Sequence, residues 1–128
     1  MPTTPDSLTA LAKGHLADAR KLLARVTAPP PGGARTEANT LIPYDELRVK
    51  LEAVSAPASL HANVHPDAAV REAAEAAERD VAAFATDLGL NRELYDALSA
   101  VPLDALAADT RRFLERTLAD FRLSLIHI

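Results

Sequence analysis

Apolar residues recur at three- and four-residue intervals along most of this chain, the spacing of helices that bury one side. Leu8, Leu11, Leu16, Ala19, Leu22, Leu23 and Val26 form the first such stripe and leave Lys13, Asp18, Arg20 and Lys21 largely outside it. The pattern predicts a helix starting near Ser7, with Asp6 or Ser7 as its N-cap. Gly14 should weaken its middle by about 1 kcal/mol without breaking it. The run Pro29-Pro30-Pro31-Gly32-Gly33 must end this helix and is the clearest linker in the chain.

A second helix is expected to enter at Pro43, where a missing N–H costs nothing, with Asp45 and Glu46 favouring the positive end of its dipole. Leu47, Leu51 and Val54 supply its buried stripe. Pro57 should end it, with Leu60–Val64 a separate short turn before His65-Pro66-Asp67. The third helix has the strongest periodicity: Val70, Ala73, Ala74, Ala77, Val81, Phe84 and Leu88 share one face. Gly89 occupies the place of a left-handed cap, Asn91 that of the next N-cap, and Leu90 that of a staple against Tyr95. Leu94, Leu98 and Val101 mark the fourth helix, interrupted at Pro102. The last helix carries Leu106, Thr110, Phe113, Leu114, Thr117 and Phe121 on one side. No segment alternates with period two for long enough to make a strand. The expected class is all-α, an array of about five antiparallel helices. It divides into an N-terminal helix (1–28), a Pro/Gly linker (29–36), a helical lobe (37–122) and a short tail (123–128).

Composition narrows the function. Much of the 48% hydrophobic content is alanine and only 4% is aromatic, so large core anchors are few. The net charge of −4, with both signs interspersed, gives no basic footprint for nucleic acid. Arg111, Arg112 and Arg116 alternate with Asp109, Glu115 and Asp120, which reads as a solvated helix face. There is no cysteine, which excludes disulfides, thiolate metal sites and cysteine nucleophiles and fits a reducing compartment. The first residues lack a basic stretch followed by an apolar one, and no apolar run approaches the ~18 residues of a membrane span. A cytoplasmic protein without a membrane partner is the expectation.

Candidate chemistry is sparse. His61 and His65 have the four-residue spacing that puts two imidazoles on one helix face. Ala62 stands where the zinc-peptidase pattern HExxH has its glutamate general base, and Pro66 breaks the segment. A surface histidine beside one at a helix entrance is the plainer reading. His15 reads as a helix-boundary residue, and His127 falls in the tail. Ser59, Ser99 and Ser124 lack a nucleophile elbow, and Gly32-Gly33 lacks the context of a phosphate loop. The expected sites are therefore none: no catalytic, metal-binding or cofactor-binding residue. The alanine-rich third helix suits close packing inside a domain better than a coiled coil.

Several stretches, in order, resemble the N-terminal helices of thimet oligopeptidase-type zinc peptidases. They are Asn39-Thr40-Leu41-Ile42-Pro43, Val64-His65-Pro66-Asp67 with Val70-Arg71, Leu94-Tyr95-Asp96-Ala97-Leu98, and Asp109 through Arg122. Together they cover about residues 8–122, and none is a catalytic signature. The resemblance implies a larger helical peptidase with a deep channel, of which these helices form a wall that restricts entry to short peptides. It implies zinc in the intact parent, held by the two histidines of HExxH and a later glutamate. No position here matches those residues, so this chain alone should be inactive and bind no zinc. Its implied partner is the missing C-terminal catalytic region. Such a fragment is expected to expose apolar faces at Leu98/Val101 and Phe113/Phe121. Leu123-Ser124-Leu125-Ile126-His127-Ile128 departs from the family pattern and resembles a translated sequencing adaptor. The alternative reading is a complete, non-enzymatic helical interaction domain.

Overall fold

The computed structural model describes residues 4–126, and among them every regular element is helical. Five α-helices follow one another: α1 (Pro5–Thr27), α2 (Ile42–Val64), α3 (Ala68–Gly89), α4 (Arg92–Ser99) and α5 (Ala108–Ile126). A π-helical turn, Glu37–Leu41, leads straight into α2, and a 3-10 turn, Leu103–Ala105, precedes α5. The all-α class expected from periodicity is the observed one.

Helices α1, α2 and α3 pack on one another as an up-down-up bundle. Leu8 meets Val70 and Ala74, Ala12 and Leu16 share a cluster with Ala77 and Val81, and Leu22 lies in that of Leu88. Residue numbers thus rise together along α1 and α3, so these two run parallel, with α2 antiparallel to both. Helices α4 and α5 close the far end, where Leu94, Leu98, Val101, Leu106, Leu114, Leu118 and Phe121 join Val26, Leu41, Tyr44 and Leu47 in the largest cluster.

Local details depart from the sequence reading in ways that have physical causes. Helix α1 starts earlier than Ser7. Thr4 is its N-cap: Thr4 Oγ1 accepts the Ser7 N–H at 3.1 Å, and Ser7 Oγ accepts the Thr4 N–H at 3.0 Å. Pro5 then takes a first-turn position that needs no N–H donor. Pro57 does not end α2, which continues unbroken to Val64. A proline inside a helix costs about 3 kcal/mol. Here that cost is met by burial on both sides of it, with Val54 and Ala58 only 1% exposed and His61 also buried.

Gly89 is not a left-handed cap, because among the described residues the only positive φ angles are those of Gly32 and Gly33. Helix α3 instead tightens at its end, where Leu90 N–H donates to Asp87 O and Asn91 N–H to Leu88 O. Asn91 does cap α4, its side-chain oxygen accepting the Leu94 N–H at 2.9 Å. Leu90 remains exposed. Leu106 is buried ahead of α5 rather than within it. The apolar faces expected to be open are closed: Leu98, Val101 and Phe121 are buried and Phe113 is half-buried, because α5 folds back against α4. Helix α5 runs on through Leu123–Ile126; His127 lies outside the described residues.

The Pro/Gly segment folds into a turn in which Gly33 N–H donates to Pro30 O at 2.9 Å. Pro31 and Gly32 (φ +81°) fill the positions that a type II turn reserves for proline and glycine.

Candidate functional site

Two of the motifs that carry the family resemblance, Asn39–Pro43 and Val64–Arg71, are joints between helices, and the other two lie within α4 and α5. At the first, Thr36 and Asn39 cap the entry to α2 reciprocally: Thr36 Oγ1 accepts the Asn39 N–H at 3.1 Å and Asn39 Oδ1 the Thr36 N–H at 2.8 Å. Thr40, fully buried, donates its hydroxyl to Asn39 Oδ1 at 2.7 Å, and Leu41, Pro43 and Tyr44 are buried beside it. Arg35 fastens this joint to the end of α1. Its guanidinium donates to the carbonyls of Val26, Thr27 and Ala28, which have no partner of their own in the helix. Sequence reasoning overlooked Arg35 because its targets lie seven to nine residues upstream, beyond any local periodicity.

The second joint links α2 to α3. Asp67 Oδ1 accepts the Ala69 N–H at 2.9 Å, and Arg71 donates to the carbonyls of His65 (2.7 Å) and Pro66 (3.0 Å). The remaining motifs place Leu94, Ala97, Leu98 and Leu114 in the core. Tyr95 accepts a hydrogen bond from Arg122 at 3.1 Å, tying α4 to α5.

The histidine pair is brought together: the His61 and His65 rings lie 5.3 Å apart, edge to face. His61 Nε2 is buried and makes no hydrogen bond within the chain. His65 Nδ1, however, accepts the Asp67 N–H at 3.1 Å. The neutral His65 ring therefore carries its proton on Nε2 and has no lone pair left for a cation. Among the described residues no group of three or more His, Cys, Asp or Glu stands ready to hold a metal. One free imidazole nitrogen does not fit the three or four protein ligands that zinc takes. Ser59 and Ser99 are exposed and His15 half-buried, and no described serine hydroxyl is hydrogen-bonded to a histidine.

Surface concavities are the remaining candidates. A groove of about 660 Å³ runs between α1 and α3, floored by Ala12, Leu16, Ala77 and Phe84, with Lys13 and Arg20 on one wall and Asp80 and Asp87 on the other. A smaller one of about 360 Å³ lies where α2 and α5 begin. There Leu41, Ile42 and Phe113 are ringed by Glu37, Asp45, Glu46 and Asp109. Arg48 stands 4.8 Å above the Phe113 ring and pairs with Asp45 at 3.4 Å. Neither concavity joins a nucleophile to a base. No helix among the described residues is long and apolar enough to cross a membrane.

No protein-family profile and no solved structure matches the chain. Curated relatives do. Over 98% of its length the chain is 32% identical to the mitochondrial intermediate peptidases of Pongo abelii and Rattus norvegicus, and over 84% it is 34% identical to that of Homo sapiens. The matched stretch is 18% of the first two proteins and 15% of the third, so the chain spans less than a fifth of the length of these relatives. Nearly all of this chain is thus similar to a short part of peptidases in the thimet oligopeptidase family, the family its helix joints resemble.

Proposed function

We propose that this chain is the N-terminal scaffold of a zinc-dependent oligopeptidase, forming part of the wall of its substrate channel. In this reading the hydrolysis of short peptides and the zinc belong to the remainder of the parent polypeptide. A cytoplasmic location is part of the same proposal. The observation that carries it is the disparity in coverage: 98% of this chain aligns with 18% of a peptidase. The structure supports a scaffolding role in a specific way. The family-like residues here cap and fasten helices, and none of them assembles a reactive group.

The test is to extend the reading frame past the codon for Arg122 in the source DNA and assay both products on internally quenched short peptides. The extended polypeptide should hydrolyse them, lose activity to a chelator and regain it with zinc, while the 128-residue chain shows none. Hydrolysis by the 128-residue chain alone, or a stop codon directly after Ile128, would overturn the proposal.

A further inference from the structure

Helix α2 is apolar on two opposite sides. Its inner side holds Leu47, Val54 and Ala58 against α1 and α3. On the outer side Ile42, Val49, Leu60 and Val64 stand 50%, 59%, 48% and 66% exposed, with exposed Ala53 and Ala56 between them. Steps of seven, eleven and four residues return to one face of a helix with 3.6 residues per turn, so these side chains form one stripe about 33 Å long. Exposed apolar residues scattered singly are ordinary, whereas a stripe in register along a whole helix marks a contact surface. These four make up most of the large exposed hydrophobics of the described chain.

The stripe has a charge polarity. Around Ile42 lie Glu37, Asp45, Glu46 and Asp109. Asp45 and Asp109 are paired with Arg48 and Arg112, while Glu37 and Glu46 have no ion pair among the described residues. Around Val64, at the other end, the neighbours in sequence are His61, Asn63 and His65, with no carboxylate before Asp67.

We propose that this outer face of α2 seats an amphipathic segment from the remainder of the parent peptidase, apolar along its length and bearing Lys or Arg where it meets Glu37 and Glu46. The occupant follows from length and charge. More than four-fifths of the relatives' chain lies outside the matched stretch and must meet this domain somewhere. The α1–α3 groove has walls of opposite sign, whereas the α2 stripe offers continuous apolar surface with one acidic end. The inference rests on the scaffold reading given above and adds which face the scaffold presents.

Cysteine footprinting tests it, since the chain has no native cysteine. Val49→Cys, Leu60→Cys and, in the α1–α3 groove, Ala83→Cys are made in both the 128-residue chain and the extended protein. Labelling is then read site by site by peptide mapping. All three sites should react readily in the short chain. In the extended protein, positions 49 and 60 should slow at least tenfold and position 83 should not. Adding Glu37→Lys and Glu46→Lys to the extended Val49→Cys protein should restore several-fold of the lost reactivity, and unchanged protection would remove the basic end from the proposal. Equal labelling of 49 and 60 in the two proteins would overturn the face assignment even if the extended protein is an active peptidase. Concentration-dependent protection in the short chain alone would assign the stripe to a second copy and overturn it as well. Inactivity of the extended protein toward peptides bears on the scaffold reading alone.

Discussion

Where α1 begins, the bundle is held by small residues: Leu8, Ala12 and Leu16 lie against Val54, Ala58, Val70, Ala74, Ala77 and Val81. Where α1 ends, the interior is mostly leucine and aromatic: Leu22, Leu47, Leu94, Leu98, Leu114, Leu118, Tyr44 and Phe121. Alanine buries little area per residue but lets helix backbones approach, so the first end gains from dispersion across close axes. The second end gains from apolar area removed from water. The capped joints at Thr36/Asn39 and at Asn91 both open into the large-residue end, whereas only the Asp67 joint borders the alanine end. Two of the three capped junctions between helices thus lie where α4 and α5 close the bundle.

The largest effect should come from hollowing the large-residue end. Leu114 is fully buried there, and Leu114→Ala should lower stability by about 3–4 kcal/mol through lost transfer energy and a residual cavity. Urea unfolding followed by circular dichroism measures it. A loss under 1 kcal/mol would mean that α5 is not part of the cooperative unit and that buried area does not set the large-residue end apart.

These two ends were unequally legible in the sequence. The alanine end was visible because Val70, Ala74, Ala77 and Val81 repeat within one long uninterrupted helix, where period alone decides the buried face. The large-residue end depends on chain reversals at Pro102 and Leu103–Ala105, whose directions no periodicity encodes. Hence Leu98, Val101 and Phe121 were expected to be open, and the structure buries them. Leu118 escaped notice although it is buried on the same face as Leu114. Pro57 misled for a different reason: its local penalty is legible, while the burial of Val54 and Ala58 that outweighs it is tertiary. The outer stripe of α2 at 42, 49, 60 and 64 is present in the sequence, but periodicity alone does not tell which of two apolar faces a helix buries. For the candidate site, the four-residue spacing does bring the two rings together. His61, however, is buried rather than the surface histidine expected, because α2 continues past Pro57 and carries it inward. The Asp67 N–H bond to His65 Nδ1 belongs to a turn that no periodicity encodes.

At the alanine end the opposite substitution is the informative one. Ala74 is fully buried between Leu8 and Val70, so Ala74→Leu should force the helices apart and cost about 2 kcal/mol. Unfolding midpoints of the two variants, measured side by side, sharpen the comparison. A neutral or stabilising Ala74→Leu would reveal unfilled space and make the alanine end loosely rather than closely packed.

The smallest effect separates the chain's two tyrosines, one at each level of burial. Burial at the large-residue end pushes the Tyr44 hydroxyl above tyrosine's ordinary value of 10.0; Arg48 opposes the shift, and Asp120 and Asp45 add to it. Tyr95, half-buried with its hydroxyl at the surface, is held below that value, first by the hydrogen bond from Arg122. The signs for stability are opposite. Folded Tyr44 keeps its proton longer than the unfolded chain does, so its contribution is full below about pH 10 and drains away as pH rises through that value. Folded Tyr95 gives up its proton sooner, so it adds stability above that pH, but an exposed group is screened and its share is slight. Phenolate absorbance should therefore rise in two steps, Tyr95 first. Arg122→Ala should move the first step up and leave the second in place, and Tyr44→Phe should erase the second and soften the alkaline loss of stability. A single step shared by both tyrosines would mean that Tyr44, inside the large-residue cluster, is no better sheltered than Tyr95 at its edge.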